Sequence, residues 1–429
     1  MWQDKISSTN MMLGWLLLTT AIYFLLPTLF KNSLEQVGIF RRIHPLFLVA
    51  GVALIVRLIP MVLLPVGAGY DIESFRLVGA ALLNKEDVYT SAAFGRHPYL
   101  PMQMYWIGFA LYLNSLTAVP FVILIKLLPV LVDVLIAVLI YQASRYWQKP
   151  QAEALLWGLL YALNPIAILV SAYHGQFDSI PVFLLMLSWM WWEFHKRTKL
   201  SAGALGLAIL NKTWPIVFLP IMLVRNLKWK YWLVFTIVSL AIPVVATLAY
   251  VLVLDTDPMP MLRRALTHTG PDGYWGMSAL LALLKNHWSV FEPFYTSFVA
   301  WRRWIILFTG IIVLWWTRRQ TVVAALTTII LAVFMVSSGM GIQWLLWIVP
   351  FAILDADHRW LSWYSLTGML FLLVQLYGLH MYPWLYELFL PETADSLVRL
   401  GSLPAWFTVT LWTIARLRRN QYAAVADPI

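Results

Sequence analysis

Residues 69–77 read GYDIESFRL and follow an apolar run, Leu46 to Val66, long enough to cross a membrane. Two carboxylates, Asp71 and Glu73, stand where the chain leaves that run, flanked by Tyr70 and Phe75. A carboxylate held there can act as a general base for a hydroxyl. Glu73 can assist Asp71, or the two can share a divalent cation, magnesium or manganese, through hard oxygen ligands. The plainer reading is a solvated acidic turn. Beyond that cation, no cofactor is indicated.

Other ionisable residues fall inside apolar stretches, where a charge is costly and marks either a function or a paired partner. Arg57 lies mid-run in VALIVRLIP and can satisfy a buried acid, Asp71 or a bound phosphate. Lys126 and Asp133 are seven apart in KLLPVLVD, two helical turns, and so share one face. His174, Gln176 and Asp178, in HGQFD, form either a polar turn between two helices or a wall of the site. Lys212 interrupts the apolar run LSAGALGLAILNKTWPIVFLPIML, together with Asn211 and Pro215. Arg263, Arg264 and His268 lie in the segment 255–277. Two planar guanidinium forks and a titratable ring can grip phosphate oxygens, or simply meet lipid head groups.

These residues need a scaffold, and composition names its class. Of 429 residues, 61% are hydrophobic and 12% charged, against about half and a quarter in soluble domains. Repeated apolar runs of about 20 residues define an all-α polytopic membrane protein in the lipid bilayer. Helices are expected at 11–30, 46–66, 120–146, 152–170, 179–195, 231–253, 296–316, 321–338, 341–354, 360–379 and 402–418. That makes about eleven spans, plus a broken pair at 200–224. Met11 to Phe30 follows Asp4 and Lys5 and has no small-residue cleavage site after it, so it reads as retained rather than as a signal peptide. The net charge of +10 is scattered through short loops, which argues for topology and against nucleic acid. Arg41, Arg42, Arg145, Lys149, Lys196, Arg197, Arg225, Lys228, Arg318 and Arg319 all fall on one side if the loop after the first helix is cytoplasmic. GYDIESF then lies outside, along with the long segments 67–119 and 255–295, the first read as short surface helices. The broken pair is expected to enter and leave on one side, which puts Lys212 nearer the cytoplasm. No cysteine is present, so thiolate chemistry and disulfides are excluded.

Four stretches in order carry a likeness. GYDIESF resembles the acidic motif in the first external loop of the GT-C superfamily of polyprenyl-phosphate-sugar-dependent glycosyltransferases, with Glu73 where a second Asp is usual. KLLPVLVD is similar to the Lys-to-Asp helix that follows. LNPIAILVSAYHGQFDSI ahead of GALGLAILNKTWPIVFLP resembles the Asn-Pro, Gly-x-x-Asp and Lys-x-x-Pro series. MGIQWLLWIVPF resembles the late Gln-aromatic segment, and adds Gln343 and Trp344 as cavity-lining candidates. The likeness spans roughly residues 46–354 and is greatest to the mannosyltransferase-like branch.

The resemblance implies a GT-C-like bundle, with a catalytic module over 46–254 and a variable helical module over 255–429. It implies an inverting transfer of a hexose or pentose, with mannose favoured. The donor would be a polyprenyl-phosphate-linked sugar, and the acceptor a glycolipid, glycan or protein on the external face. Asp71 would be the base and Glu73 its helper or fellow metal ligand. Arg57, His174, Gln176, Asp178, Lys212, Arg263, Arg264, His268, Gln343 and Trp344 would hold substrate or phosphate. The absence of cysteine and of any large soluble domain fits a bacterial inner membrane. A secondary transporter or lipid-linked-sugar flippase is the rival, since it too uses broken helices and buried charges. No repeat relates the two halves of the chain, which counts against it.

Overall fold

The computed structural model describes residues 2–33, 44–64, 66–225, 229–376 and 391–426. Arg41, Arg42 and Lys228, used above for orientation, lie outside them, as do residues 377–379 at the end of one expected span. Helix is a form that a lipid-facing backbone can take, because every amide then finds its partner within the segment. Among the described residues helices account for nearly all regular structure, and no strand forms beyond one isolated bridge, Asp272 to Gly339. The chain is an all-α polytopic membrane protein.

The helices run in order as α1 (Trp2–Ser33), α2 (Pro45–Leu63), α3 (Gly69–Leu83), α4 (Gln103–Leu116), α5 (Phe121–Tyr146), α6 (Gln151–Ala162) and α7 (Pro165–Ile168). A π-helical turn, Leu169–His174, extends α7. Next come α8 (Ser179–Glu193), α9 (Thr198–Asn211), a 3₁₀ turn at Trp214–Val217, α10 (Phe218–Leu223), α11 (Trp229–Leu254) and α12 (Pro258–Thr267). After these follow α13 (Gly276–His287), α14 (Glu292–Trp316), α15 (Val322–Val336), a 3₁₀ turn at Ile342–Trp347, α16 (Val349–Leu354), α17 (His358–Leu376) and α18 (Pro391–Ala426).

Five stretches, Ser7–Phe30, Pro45–Leu63, Phe121–Tyr146, Trp229–Leu254 and Ser289–Trp316, are each long and apolar enough to cross a bilayer. The pair α6 and α7 with its π turn, bent by 43°, has the length and apolarity of a sixth, broken span or of a re-entrant loop. Of the remaining expected spans, α17 at 19 residues and α18 at 36 have the length of a crossing, whereas the others are shorter than a bilayer as single helices. At 15 residues α8 and α15 reach only about 22 Å, against a hydrocarbon core of about 30 Å. The stretch 341–354 divides into a 3₁₀ turn and α16. The expected interruption at 200–224 is present, with α9 ending at Asn211 and the 3₁₀ turn starting at Trp214. The segment 67–119 holds two short helices, α3 and α4.

Two compact units are present, residues 1–219 with 228–268, and residues 220–227 with 269–429. In the first, Phe75 and Val78 of α3, one turn apart, pack with Met104 and Ile107 of α4 and Phe121 and Ile125 of α5. In the second, Arg416 of α18 bridges Asp355 and Asp357, its Nε donates to Thr328 Oγ1 of α15 at 2.8 Å, and the Trp412 indole donates to Asp357 at 2.7 Å. Arg225 donates to the carbonyls of Thr317, Gln320 and Thr321 in the same unit.

The break between α6 and α7 explains Arg57. A helix that stops leaves its last carbonyls without amide partners, a serious cost away from water. Arg57, wholly buried in α2, donates to the Ala162 carbonyl at 2.7 Å and to the Tyr161 carbonyl at 3.4 Å. Its Nε pairs with Asp133 of α5, and neither side chain has any exposure. Asp133 in turn accepts from the Tyr161 hydroxyl and from Ser171 Oγ, the latter at 2.9 Å. On the far side of the break, the Asn164 side chain caps α7, accepting from the amides of Ile166 at 3.0 Å and Ala167 at 3.3 Å, with Pro165 at the first helical position. Of the partners open to Arg57, the fold selects the buried acid. Lys126 and Asp133 share a helix without pairing: Lys126 Nζ donates to the Val66 carbonyl at 2.6 Å.

Removing one member of such a pair strands the other charge. Asp133→Ala should cost about 3–5 kcal/mol, read as a lowered thermal midpoint in detergent. A loss below about 1 kcal/mol, the scale of an exposed ion pair, would mean the junction does not depend on it.

Candidate active site

Asp71 is the third residue of α3, so its carboxylate sits in a helical first turn, where the backbone dipole favours negative charge. The approach to that turn is set by close contact with the π turn. The Ala68 amide donates to the His174 carbonyl at 3.3 Å, and a Cβ on Gly67 would come within 2.8 Å of that carbonyl. Only glycine lets the two backbones meet this closely. Gly175, at φ +87°, then turns the chain out of the π helix. The wider π turn ends with His174 directed at Asp71, its Nε2 2.6 Å from Asp71 Oδ2. His174 is 3% exposed and Asp71 29%, so the carboxylate is the member of the pair that a ligand can reach.

Burial alone would raise the Asp71 carboxyl. The hydrogen bond and charge of His174, the Gln176 side chain and the charge of Lys212 outweigh it and hold Asp71 below the usual carboxylate value.

The other half of the site comes from two further helix ends. Asp178 is the N-cap of α8 and Lys212 the C-cap of α9, and their side chains meet at 2.7 Å with 0% and 3% exposure. Lys212 therefore stands at the Asp178 end of α8, beside the Asp71 group, and not near the opposite end as the sequence led us to expect. The reason is that α9 packs back against α8 and runs for 14 residues before it breaks. The Lys212 ammonium also lies 4.8 Å from the Tyr99 ring centre and 4.7 Å from that of Phe177, within cation–π range. Tyr99 meets Phe177 edge-on at 5.2 Å and His268 at 6.0 Å.

Among the described residues, four buried polar atoms near these groups have no hydrogen-bond partner: His97 Nε2, His174 Nδ1, Gln176 Oε1 and Asn211 Oδ1. Buried polar atoms are nearly always satisfied, so such a concentration calls for a ligand or water. Burial and the charge of Lys212 push His97 down to about 4, despite a backbone hydrogen bond at Leu100. At neutral pH it is uncharged and can accept a hydroxyl proton. Beside the site, a groove of about 440 Å³ is lined by Tyr89, Phe94, Met259, Arg263 and Arg264. Arg264 is anchored to the Gly95 carbonyl at 2.7 Å, and Arg263 is exposed.

The fold thus gathers Asp71, His174, Gln176, Asp178 and Lys212, with His268 at the Tyr99 edge and Arg263 and Arg264 on the adjoining groove. It does not bring Glu73 to Asp71. Two residues apart on a helix, their side chains leave about 200° apart, and Glu73 is exposed. These two carboxylates alone therefore do not converge on one cation. Arg57 is sealed in the α6–α7 junction. Gln343 and Trp344 belong to the second unit, where Trp344 stacks on Trp347 at 5.1 Å. Tyr99, His97 and Gln103 were missed from the sequence, although RHPYLPMQ, residues 96–103, is an unusual concentration of polar and proline residues for this chain, and Asn211 was read only as an interruption of the apolar run. Asn211 Nδ2 donates to Gln103 Oε1 at 3.2 Å, which links the α9 end to the α4 start.

The model of glycosyltransferase family 87 matches residues 103–338, more than half of the chain. No curated protein matches it. His174, Gln176, Asp178, Lys212 and the α12 residues lie within the match, whereas Asp71 precedes it.

Asp178→Ala would leave Lys212 buried without its counter-charge and should cost about 3–5 kcal/mol of stability. The double variant Asp178→Leu with Lys212→Met should recover most of that loss. Equal melting of wild type and Asp178→Ala in detergent would rule the pair out as a structural tie.

Proposed function

The chain belongs to glycosyltransferase family 87, and from that premise we propose that it transfers a sugar from a polyprenyl-phosphate carrier to an acceptor hydroxyl, with Asp71 as general base. The observation that carries this reading is the Asp71 carboxylate, partly exposed and oriented by His174 at 2.6 Å. The acceptor oxygen attacks the anomeric carbon, its proton passes to Asp71, and the bond from that carbon to the phosphate oxygen breaks. The electron pair leaves with the phosphate, and a single displacement inverts the centre. Because Asp71 is held below its usual value it is fully ionised but weakly basic, so the proton moves late. Charge grows on the departing phosphate, where Lys212, Arg263, Arg264 and His268 supply preorganised stabilisation. The unpartnered atoms of His97, Gln176 and Asn211 are acceptors suited to sugar hydroxyls, and the Tyr99 and Phe177 rings suit a sugar face.

A hexose or pentose, mannose first, is the proposed cargo, and a glycolipid, glycan or protein the acceptor. The donor's prenyl chain lies in the bilayer, so a site built from the ends of membrane helices is at the right depth for it. The bias of Lys and Arg among the short loops supports an outward-facing site, in a bacterial inner membrane. Glu73 has no assigned part in the reaction, and no step needs a metal ion from it.

Purified protein in detergent, given a panel of polyprenyl-phosphate sugars and a membrane-lipid acceptor extract, should transfer glycosyl groups. Asp71→Asn should lose about 10²–10⁴-fold of that rate at an unchanged thermal midpoint; a folded variant of full activity would remove Asp71 from the chemistry. In His174→Ala the largest lowering influence on Asp71 is gone and burial is less opposed. The acid limb of the pH–rate profile should therefore move to higher pH. A limb that stays in place would show that His174 does not tune the base.

A further inference from the structure

Residues 84–102, NKEDVYTSAAFGRHPYLPM, contain no helix, yet they deliver the Tyr99 ring to the Lys212 ammonium. An irregular segment keeps one shape only if its ordering entropy is offset by specific ties. The densest tie is Asp87. Its Oδ1 accepts from the Tyr250 hydroxyl at 2.7 Å and from the Tyr89 amide at 3.2 Å. Its Oδ2 accepts from Thr90 Oγ1 at 2.8 Å and from Thr256 Oγ1 at 2.9 Å. The Tyr250 hydroxyl accepts in return from the Val88 amide at 3.0 Å. Tyr250 belongs to α11 and Thr256 to the turn after it, so one carboxylate fastens the segment to a membrane span.

The knot reaches the candidate site through a short path. Tyr89, buried edge-on against Tyr250 at 5.7 Å, donates its hydroxyl to the Tyr99 carbonyl at 2.6 Å. Tyr99 then contacts Lys212, Phe177 and His268. Asp87 acts on the site through these two tyrosines and not on reacting atoms.

We propose that Asp87 is a positioning residue for substrate binding: through Tyr89 it fixes where the Tyr99 ring stands beside Lys212. It sets the donor-phosphate side of the site and leaves the Asp71 base alone. The assignment to donor binding rests on the glycosyl-transfer reading, whereas the coupling from Asp87 to Tyr99 does not.

Two small substitutions test it in the full-length protein. Asp87→Asn replaces one acceptor with an amide donor facing hydroxyls, and Tyr89→Phe removes only the hydroxyl bonded to Tyr99. Each should raise the donor KM about five- to tenfold, the scale of one lost hydrogen bond, with kcat and the acid limb near wild type. The double variant should be no worse than the worse single one, because both act on one path. Hydrogen exchange in detergent should quicken over 96–103 in both variants and stay unchanged around Asp71. A lowered thermal midpoint with unchanged KM and unchanged exchange over 96–103 would reduce Asp87 to a structural tie and overturn the proposal. Additive effects in the double variant would overturn the single path. Should the wild type transfer no sugar from any donor, the glycosyl-transfer reading fails, and exchange over 96–103 still decides the coupling.

Discussion

The fold turns on the buried pair of Arg57 and Asp133. A bilayer-embedded chain can break a helix only if something inside the protein takes up the freed carbonyls. Arg57 does so at Ala162 and adds to the Asn164 amide at the Tyr161 carbonyl, and Asp133 neutralises the charge this brings into the interior. With the break made safe, α7 can start at a new angle and widen into a π turn. That turn carries His174 to Asp71. An ion pair deep among the helices thus underlies a carboxylate–imidazole contact that it never touches.

Helix ends recur throughout the site. Asp71 lies in the first turn of α3, His174 closes the π turn, Asp178 caps α8, Lys212 ends α9 and His268 follows α12. Inside a membrane span each of these side chains would face hydrocarbon or crowd a neighbouring helix. At a helix end, unsatisfied backbone groups already demand polar company, and polar side chains can congregate there at little extra cost. Helix ends that meet gather these polar groups within the first unit.

Much of this was legible in the chain. Long apolar runs reported the class, and Pro215, Asn211 and Lys212 marked where one helix stops, whereas the break before Pro165 fell inside an expected single helix over 152–170. HGQFD and LNKTWP stood out because polar residues are rare here and therefore carry information. The count of spans was less legible: hydropathy registers apolar length, and cannot distinguish a crossing helix from two shorter pieces joined at a 3₁₀ turn, as at 341–354. Glu73 was misleading for a related reason. Read as a motif, it stands beside Asp71; wound into a helix, it faces away. Tyr99 gave no signal of its own, since its place depends on the Asp87 knot and on α11, some 150 residues further along.

By itself, then, the sequence determined the solvent this protein lives in, its helical form, the break at 211–215 and the short list of ionisable groups. These are local properties, set by side-chain hydrophobicity, proline geometry and the cost of charge in hydrocarbon. Only the tertiary structure decided who partners whom. Arg57 takes Asp133 across 76 residues, His174 takes Asp71 across 103, and Lys212 takes Asp178 across 34. Periodicity says which face of its own helix a residue occupies and nothing about which helix it will meet. That choice belongs to packing, which must bury each charge beside its complement or not bury it at all.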